Sequence, residues 1–385
     1  MITAKFKYLR RTLKEWQRGL SNLKVSIDNV KLILCFLLFI EEFRDLTIPE
    51  WNFKILLEQK LVSLLYQQHV YWKQRGSIKW VTLGDASTKF FHAHATIKYR
   101  RNLITSLQDS SRQSVTSHEE KAQLIWTSFK ERLGISSFIG INFNLPTLLQ
   151  GVNDLSSLVS PFEKEEIDTL VKHWPSDKAP GPDGFNTDFF KKCWHIISDD
   201  FYNLCNAFHH GDVFLKSLND SHIVLVPKHD HPLKVSYYRP ISLLNTSIKI
   251  STKILANRLQ LVLPKLINKN QYGFIKARSI QDCLAWSLEF LHLCHQSKRE
   301  IIILKLDFEK AFNKVDHDLM IQIMRHKGLP EQWLKWMNMI FGSRTSSALL
   351  NGVLGKTFHC KRGVRQGILF ILFSLFWQLT SCKVF

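Results

Sequence analysis

Residues 301–312 read Ile301-Ile302-Ile303-Leu304-Lys305-Leu306-Asp307-Phe308-Glu309-Lys310-Ala311-Phe312. The apolar run Ile301 to Leu306 predicts a buried central strand, because a strand covered on both faces reads as a continuous hydrophobic run. It ends in Asp307. A carboxylate at the end of such a strand sits on a rigid element, where a magnesium ligand is useful. Magnesium takes one or two carboxylates with phosphate oxygens and water. A pair of these ions can activate a 3′-hydroxyl and stabilise a leaving pyrophosphate. Asp307 can instead cap the turn that follows it, and Lys305 to Phe312 taken alone fits capping better.

The residues downstream carry strong local signals. Asp316 can cap a helix from His317 to Lys327, Gly328 is its stop, and Pro330 suits the first turn of the next helix. Ser347 to Leu350, then Asn351-Gly352, then Val353 onward predicts a hairpin, since both turn positions need positive φ. Upstream, residues 1–135 read as helical. Leu56, Leu57, Leu61, Leu64 and Leu65 recur at helical spacing, and Tyr71 and Trp72 extend that face up to a break at Gly76. Two basic blocks, Lys73 to Arg75 and Lys98-Tyr99-Arg100-Arg101, fit either solvated helix faces or a surface that tracks a phosphate backbone. Residues 136–160 read as a linker, with serines and with Gly140, Pro146 and Gly151 as punctuation. From 161 to 385 short helices and strands alternate. Glu163, Glu165 and Glu166 open a helix that closes near Trp174 and Pro175. The fold class predicted is α/β (α+β).

The chain of 385 residues carries a net charge of +19. That surplus favours a polyanionic partner, nucleic acid before membrane. Seven cysteines stand without a CxxC spacing, which argues against a disulfide framework and a zinc ribbon. The groups His92/His94 and His292/Cys294/His295 lack the ligand count or spacing of a zinc site. Met1 to Leu20 is basic without an apolar core, so a secreted protein is not expected; nuclear and cytoplasmic locations stay open. Leu32 to Ile40 is too short for a membrane span and predicts a buried helix segment.

Seven blocks, in order, resemble plant non-LTR (LINE-type) retrotransposon reverse transcriptases. They are KAPGPDG (Lys178 to Gly184), LVPK (Leu225 to Lys228), YRPISL (Tyr238 to Leu243), ILANRL (Ile254 to Leu259), QYGFIKARSIQD (Gln271 to Asp282), KLDFEKAF (Lys305 to Phe312) and GVRQG (Gly363 to Gly367). Ile78 to Ala95 is similar to the linker that precedes the polymerase in such elements. The resemblance implies the fingers and part of the palm of a right-hand polymerase behind a helical N-terminal extension. It implies RNA-directed DNA synthesis by two-metal nucleotidyl transfer, with magnesium as cofactor. The implied partners are an RNA template with a DNA primer, or an RNA–DNA hybrid, and deoxynucleoside triphosphates. Asp307 resembles the first catalytic, metal-binding aspartate, and Phe308 the backbone position beside the second metal. Phe312 resembles the aromatic gate that sterically disfavours a 2′-hydroxyl. Lys228 and Arg239 resemble residues that hold the triphosphate, a task suited to the planar fork of arginine. Gln366 and Gly367 resemble positions near the template base and the nucleotide. Lys178, Gly181, Gly184, Arg278 and Arg365 are the implied nucleic-acid contacts, with Gly181 and Gly184 letting the backbone approach closely.

Three departures bear on activity. Asn313 stands where the family has aspartate. Ala277 stands where it has glycine, at a cost of about 1 kcal/mol if that position needs positive φ. Gly367 runs into Ile368 to Phe373 where the family has Asp-Pro-Leu-Ser-Pro, and no aromatic-x-Asp-Asp follows. Asp199-Asp200 come too early in the chain to replace that hairpin and read as a helix end. The expectation is therefore a chain cut within the palm, without thumb or endonuclease, that does not polymerise, and whose apolar tail lowers solubility. Alternatives are a non-catalytic nucleic-acid-binding module, or an active polymerase whose sequence continues downstream.

Overall fold

The computed structural model describes residues 2–18, 22–76, 88–136, 144–176, 178–213, 215–268, 270–272, 275, 278–303 and 311–364. They form two compact units, one of Tyr8–Thr105 with His229–His231, the other of Met1–Lys7, Ser106–Lys228 and Pro232–Phe385.

The smaller unit is helical. After α1 (Ile2–Arg18), whose first residues belong to the larger unit, come α2 (Leu23–Glu41), α3 (Ile48–Gly76) and α4 (Thr88–Asn102). Asn22 caps α2 by accepting from Lys24 N. Ile27, Val30 and Leu37 of α2 pack against Leu57 and Leu64 of α3, the alternate-turn spacing that an amphipathic helix pair requires. Helix α3 ends at Gly76, where the sequence placed its break. The burial expected of Leu32 to Ile40 is only partly met: Leu37 is buried, while Leu32, Phe36, Leu38 and Phe39 are exposed. Periodicity identified the helix, but nine consecutive apolar residues wrap all its faces and only one face meets α3. No helix among the described residues is long and apolar enough to cross a membrane.

The larger unit is α/β. A short hairpin, β1 (Leu107–Gln108) with β2 (Ser114–Val115), precedes α5 (His118–Leu133); it interrupts the stretch read as wholly helical. Residues 144–160 pack into the body rather than hanging as a linker. They hold α6 (Leu145–Leu148) and bury Leu145, Leu149, Leu155 and Leu158, apolar anchors hidden among polar neighbours. Helices α7 (Lys164–His173) and α8 (Thr187–His210) follow. Asp199 and Asp200 lie within α8, and Asp200 accepts from Lys5 Nζ at 2.8 Å.

Four strands make the main sheet: β3 (Asp220–Pro227), β4 (Tyr238–Leu244), β5 (Thr345–Leu350) and β6 (Val353–His359), in the order β4-β3-β5-β6. The pairs β3–β4 and β5–β6 are antiparallel, while β3–β5 is parallel. Its helices are α9 (Thr246–Leu266), α10 (Ile280–Gln296), α11 (Ala311–Lys314), α12 (His317–His326) and α13 (Glu331–Gly342). Local chemistry set several ends. Asp316 Oδ1 accepts from Leu319 N at 3.0 Å to cap α12, and Asn351 and Gly352 turn β5 into β6 with φ of 51° and 87°. Pro330 stands one residue before α13 rather than inside its first turn. The core centres on α13, whose Trp333 and Trp336 are buried; Trp336 lies 5.7 Å from Phe208 and 5.5 Å from Phe162, ring centre to ring centre.

The buried strand expected over Ile301 to Leu306 is not seen at its start. Ile301, Ile302 and Ile303 are non-strand and exposed, Ile302 by 96%. A central strand needs a hydrogen-bonding neighbour on each side, and none of the four strands pairs with these residues. Residues 304–310 lie outside the described residues.

Candidate functional site

The end of the β3–β4 hairpin sets Lys228 beside Arg239. Val226 faces Arg239 and Pro227 faces Tyr238 in the ladder, and Lys228 N then donates to Tyr237 O at 3.0 Å. Lys228 Nζ donates to Ser236 O at 2.9 Å, while Arg239 is exposed. Both line a cavity of about 380 Å³ that also takes in Asn313 of α11, Ser346 of β5, and Cys360 and Val364 beyond β6. Its cationic lining is Arg132, Lys228, Arg239 and Arg344, with no carboxylate among the described lining residues.

Close backbone approach joins the two chain segments behind this cavity. Gly363 has a φ of 79°, and a Cβ there would stand 3.0 Å from both the Asn313 Cα and its carbonyl oxygen. Gly363 N donates to Val315 O at 2.7 Å. Only glycine combines that conformation with that contact. Residues 313 and 363 are thereby clamped together, the first adjoining KLDFEKAF and the second opening GVRQG.

Arg344 lies beneath, 3% exposed. Its Nη1 donates to Gly363 O and stands 3.1 Å from His317 Nε2. Its Nε has no hydrogen-bond partner among the described residues. Burial lowers the guanidinium pKa, and a buried cation without a carboxylate is costly. His317 stacks on Phe341 at 4.4 Å. Burial first, then the Arg344 charge, pushes His317 down to about 4, so the ring is neutral at pH 7; its Nε2, also 2.9 Å from Gly363 O, either donates to that carbonyl or accepts from Arg344, according to the tautomer.

Other residues singled out in the sequence fall elsewhere. Lys178 is exposed at the edge of a larger cavity of about 1,020 Å³ between α7 and α9, which also carries Glu163, Glu165 and Glu166. Its mixed charge fits a polyphosphate less well than the smaller cavity does. Gly181 approaches the protein's own backbone closely: a Cβ there would lie 2.3 Å from Asn245 N and from Leu244 C. Gly184 N closes a turn onto Gly181 O at 3.1 Å. Arg278 is engaged internally, its Nη1 donating to Asn268 O at 2.7 Å and Gln271 O at 2.6 Å. Asp307, Phe308, Arg365, Gln366, Gly367 and Ala277 lie outside the described residues, as does the Phe312 side chain.

Three residues that motif reasoning passed over do structural work here. Buried Asn245 accepts from Asp183 N at 2.9 Å and donates to Leu218 O at 3.0 Å, fastening KAPGPDG to the sheet. Arg258 of ILANRL pairs with Glu166 at 2.7 Å and ties α9 to α7. Arg344 is the third. An asparagine before a helix was the one local signal available for Asn245; the arginines had none.

Residues 226–376 match the family model described as reverse transcriptase (RNA-dependent DNA polymerase). That span includes Lys228, Arg239, Arg278, Asp307, Phe308, Phe312, Arg365, Gln366 and Gly367 and leaves out Lys178, Gly181 and Gly184. The chain is similar to an uncharacterized 149 kDa protein of transposon TX1 from Xenopus laevis, 30% identical over 211 residues, 54% of this chain and 16% of that protein. It is 26% identical over 225 residues to the Retrovirus-related Pol polyprotein from type-1 retrotransposable element R2 of Nasonia vitripennis, covering 58% of this chain and 21% of the relative. It is 24% identical over 260 residues to the RNA-directed DNA polymerase from mobile element jockey of Drosophila melanogaster, covering 64% of this chain and 28% of that protein. The chain thus spans a sixth to little over a quarter of these relatives (16% to 28%). Residues 226–376 are thus similar to reverse transcriptases, and the relatives are proteins of transposable elements.

Among the described residues no group of three or more His, Cys, Asp or Glu side chains could hold a metal. Asp316 caps α12, and no acidic residue follows Glu331. A pair of magnesium ions needs several carboxylates and phosphate oxygens in common, and Asp307, the ligand that the resemblance names, lies outside the described residues.

Proposed function

We propose that this chain forms the fingers and the front of the palm of a LINE-type RNA-directed DNA polymerase. It holds the triphosphate of an incoming deoxynucleotide and tracks a template–primer, but does not by itself complete nucleotidyl transfer. One observation carries the reading: Arg132, Lys228, Arg239 and Arg344 line a single cavity beside the clamp between residues 313 and 363, with no carboxylate among its described lining residues. Four cationic side chains gathered in one cleft favour a polyanion, and a volume of about 380 Å³ lies within the range of small-ligand clefts. In the sequence the implied gate Phe312 precedes Asn313, and the implied positions Arg365 to Gly367 follow Val364. Asp307 would contribute one carboxylate, and no aromatic-x-Asp-Asp block follows it in the sequence.

Equilibrium binding of a fluorescent deoxyadenosine triphosphate analogue in EDTA tests this reading through the protein's own cations. The wild-type chain should bind, and Arg239→Ala should raise Kd about tenfold, the value of a charge-assisted hydrogen bond. Absent binding, or equal affinity in the variant, would overturn it. The net charge of +19 also favours a second reading, a module retained for nucleic-acid binding. On that reading affinity for RNA falls steeply with salt and survives Arg239→Ala unchanged.

A further inference from the structure

Outside the nucleotide cavity, the smaller unit has a charge imbalance of its own. From residue 59 to residue 108 the sequence holds eight Lys or Arg and a single acid, Asp85. The fold concentrates the two basic blocks of that stretch. His69 packs on Phe91 at 5.1 Å and Trp72 on His92 at 4.4 Å, which brings the ends of α3 and α4 together. Between those ends lies a cavity of about 450 Å³ lined by Trp72, Arg75, Lys98, Tyr99 and Asn102, among others.

The chemistry of this lining is specific. Arg75 lies over the Tyr71 ring, 3.5 Å from its centre, a cation–π contact that orients the guanidinium and leaves its N–H edge available. Tyr99 is 64% exposed at the rim. Among the described residues the salt bridge in this region is Arg101 to Asp230 at 3.0 Å; Arg75 and Lys98 have no acidic partner. Cations beside open aromatic faces are what an unpaired nucleotide strand needs: phosphates meet the charges and bases stack on the rings. A duplex hides its base faces and an acidic peptide has none to stack, so neither uses Tyr99 and Trp72.

We infer that the end of the α3–α4 pair is a single-stranded RNA-binding site, separate from the nucleotide cavity and independent of polymerase chemistry. Its test uses the full chain and a fluorescein-labelled 20-nucleotide oligo(U), read by anisotropy. Arg75→Ala with Lys98→Ala, and separately Tyr99→Ala, should each weaken binding fivefold or more and leave the affinity for the triphosphate analogue unchanged. The same readout on Lys228→Ala should show the reverse, which keeps failure here distinct from failure of the proposed function. Crosslinking of wild-type protein to 4-thiouridine RNA covers the case of a misfolded variant and should label Tyr71, Trp72 or Tyr99. Affinities within twofold of wild type, or crosslinks confined to residues 106–364, would overturn the site. So would equal affinity for blunt duplex RNA, or binding to phosphatidylserine vesicles without affinity for oligo(U).

Discussion

Helices α10 and α13 belong to the same unit and have similar composition, yet they meet opposite fates. Helix α13 buries Trp333, Leu334, Trp336, Met337, Ile340 and Phe341. Helix α10 buries Cys294, while Ile280, Leu284, Trp286, Leu288 and Leu293 are exposed. The difference lies in what each can pack against. Helix α13 faces α8 and the segment before α7, with the sheet beyond. Helix α10 leads to Ile301 to Ile303, which no described strand pairs. Among the described residues the two flanks are thus unequal: the helix beside the sheet is packed on its apolar face, and the helix that leads to Ile301–Ile303 is not.

A pair of tryptophan truncations would sharpen this contrast most. Trp336→Ala removes packing against Phe162 and Phe208 and a hydrogen bond from Nε1 to His209 O at 3.2 Å. It should cost about 3–5 kcal/mol in urea unfolding. Trp286→Ala on α10 should cost less than about 0.5 kcal/mol. Equal losses would mean that α10 is packed in solution and would break the comparison. Gly181→Ala comes next, at about 3 kcal/mol, because its Cβ would meet backbone atoms of Leu244 and Asn245 that cannot yield cheaply.

The third prediction concerns pH. His317 titrates at about 4 when folded, against an ordinary value of 6.5. Between those values the unfolded chain binds more protons, so stability is full above pH 6.5 and is lost as pH falls through 4. The loss should be no more than about 3 kcal/mol. His317→Phe should flatten that part of the pH–stability curve; an unchanged slope would mean that the ring is not buried against Arg344. Smallest is Arg239→Ala, about 1.4 kcal/mol in triphosphate affinity, with no measurable change in stability because that side chain is exposed.

Much of the assembled half was legible in the residues. Asn351-Gly352 fixed the hairpin, Asp316 the start of α12, and Lys228 and Arg239 were singled out before the ladder placed them side by side. These signals are local: a turn conformation, a cap, a short block. Asn245, which bonds 62 residues back to Asp183, and Arg344, buried against Gly363, have no such signature, since their meaning exists only once distant segments meet. For Gly181 the need for a small side chain is legible, while the approach of Leu244 and Asn245 to it is not, for the same reason. For Ile301 to Ile303, an apolar run announced a strand, but composition does not supply the neighbours that bury one.

Primer extension with the purified chain, an RNA template, a DNA primer, deoxynucleoside triphosphates and magnesium tests the central claim most directly. The account predicts no extended product under conditions in which the triphosphate analogue binds. DNA synthesis by these 385 residues alone would contradict it.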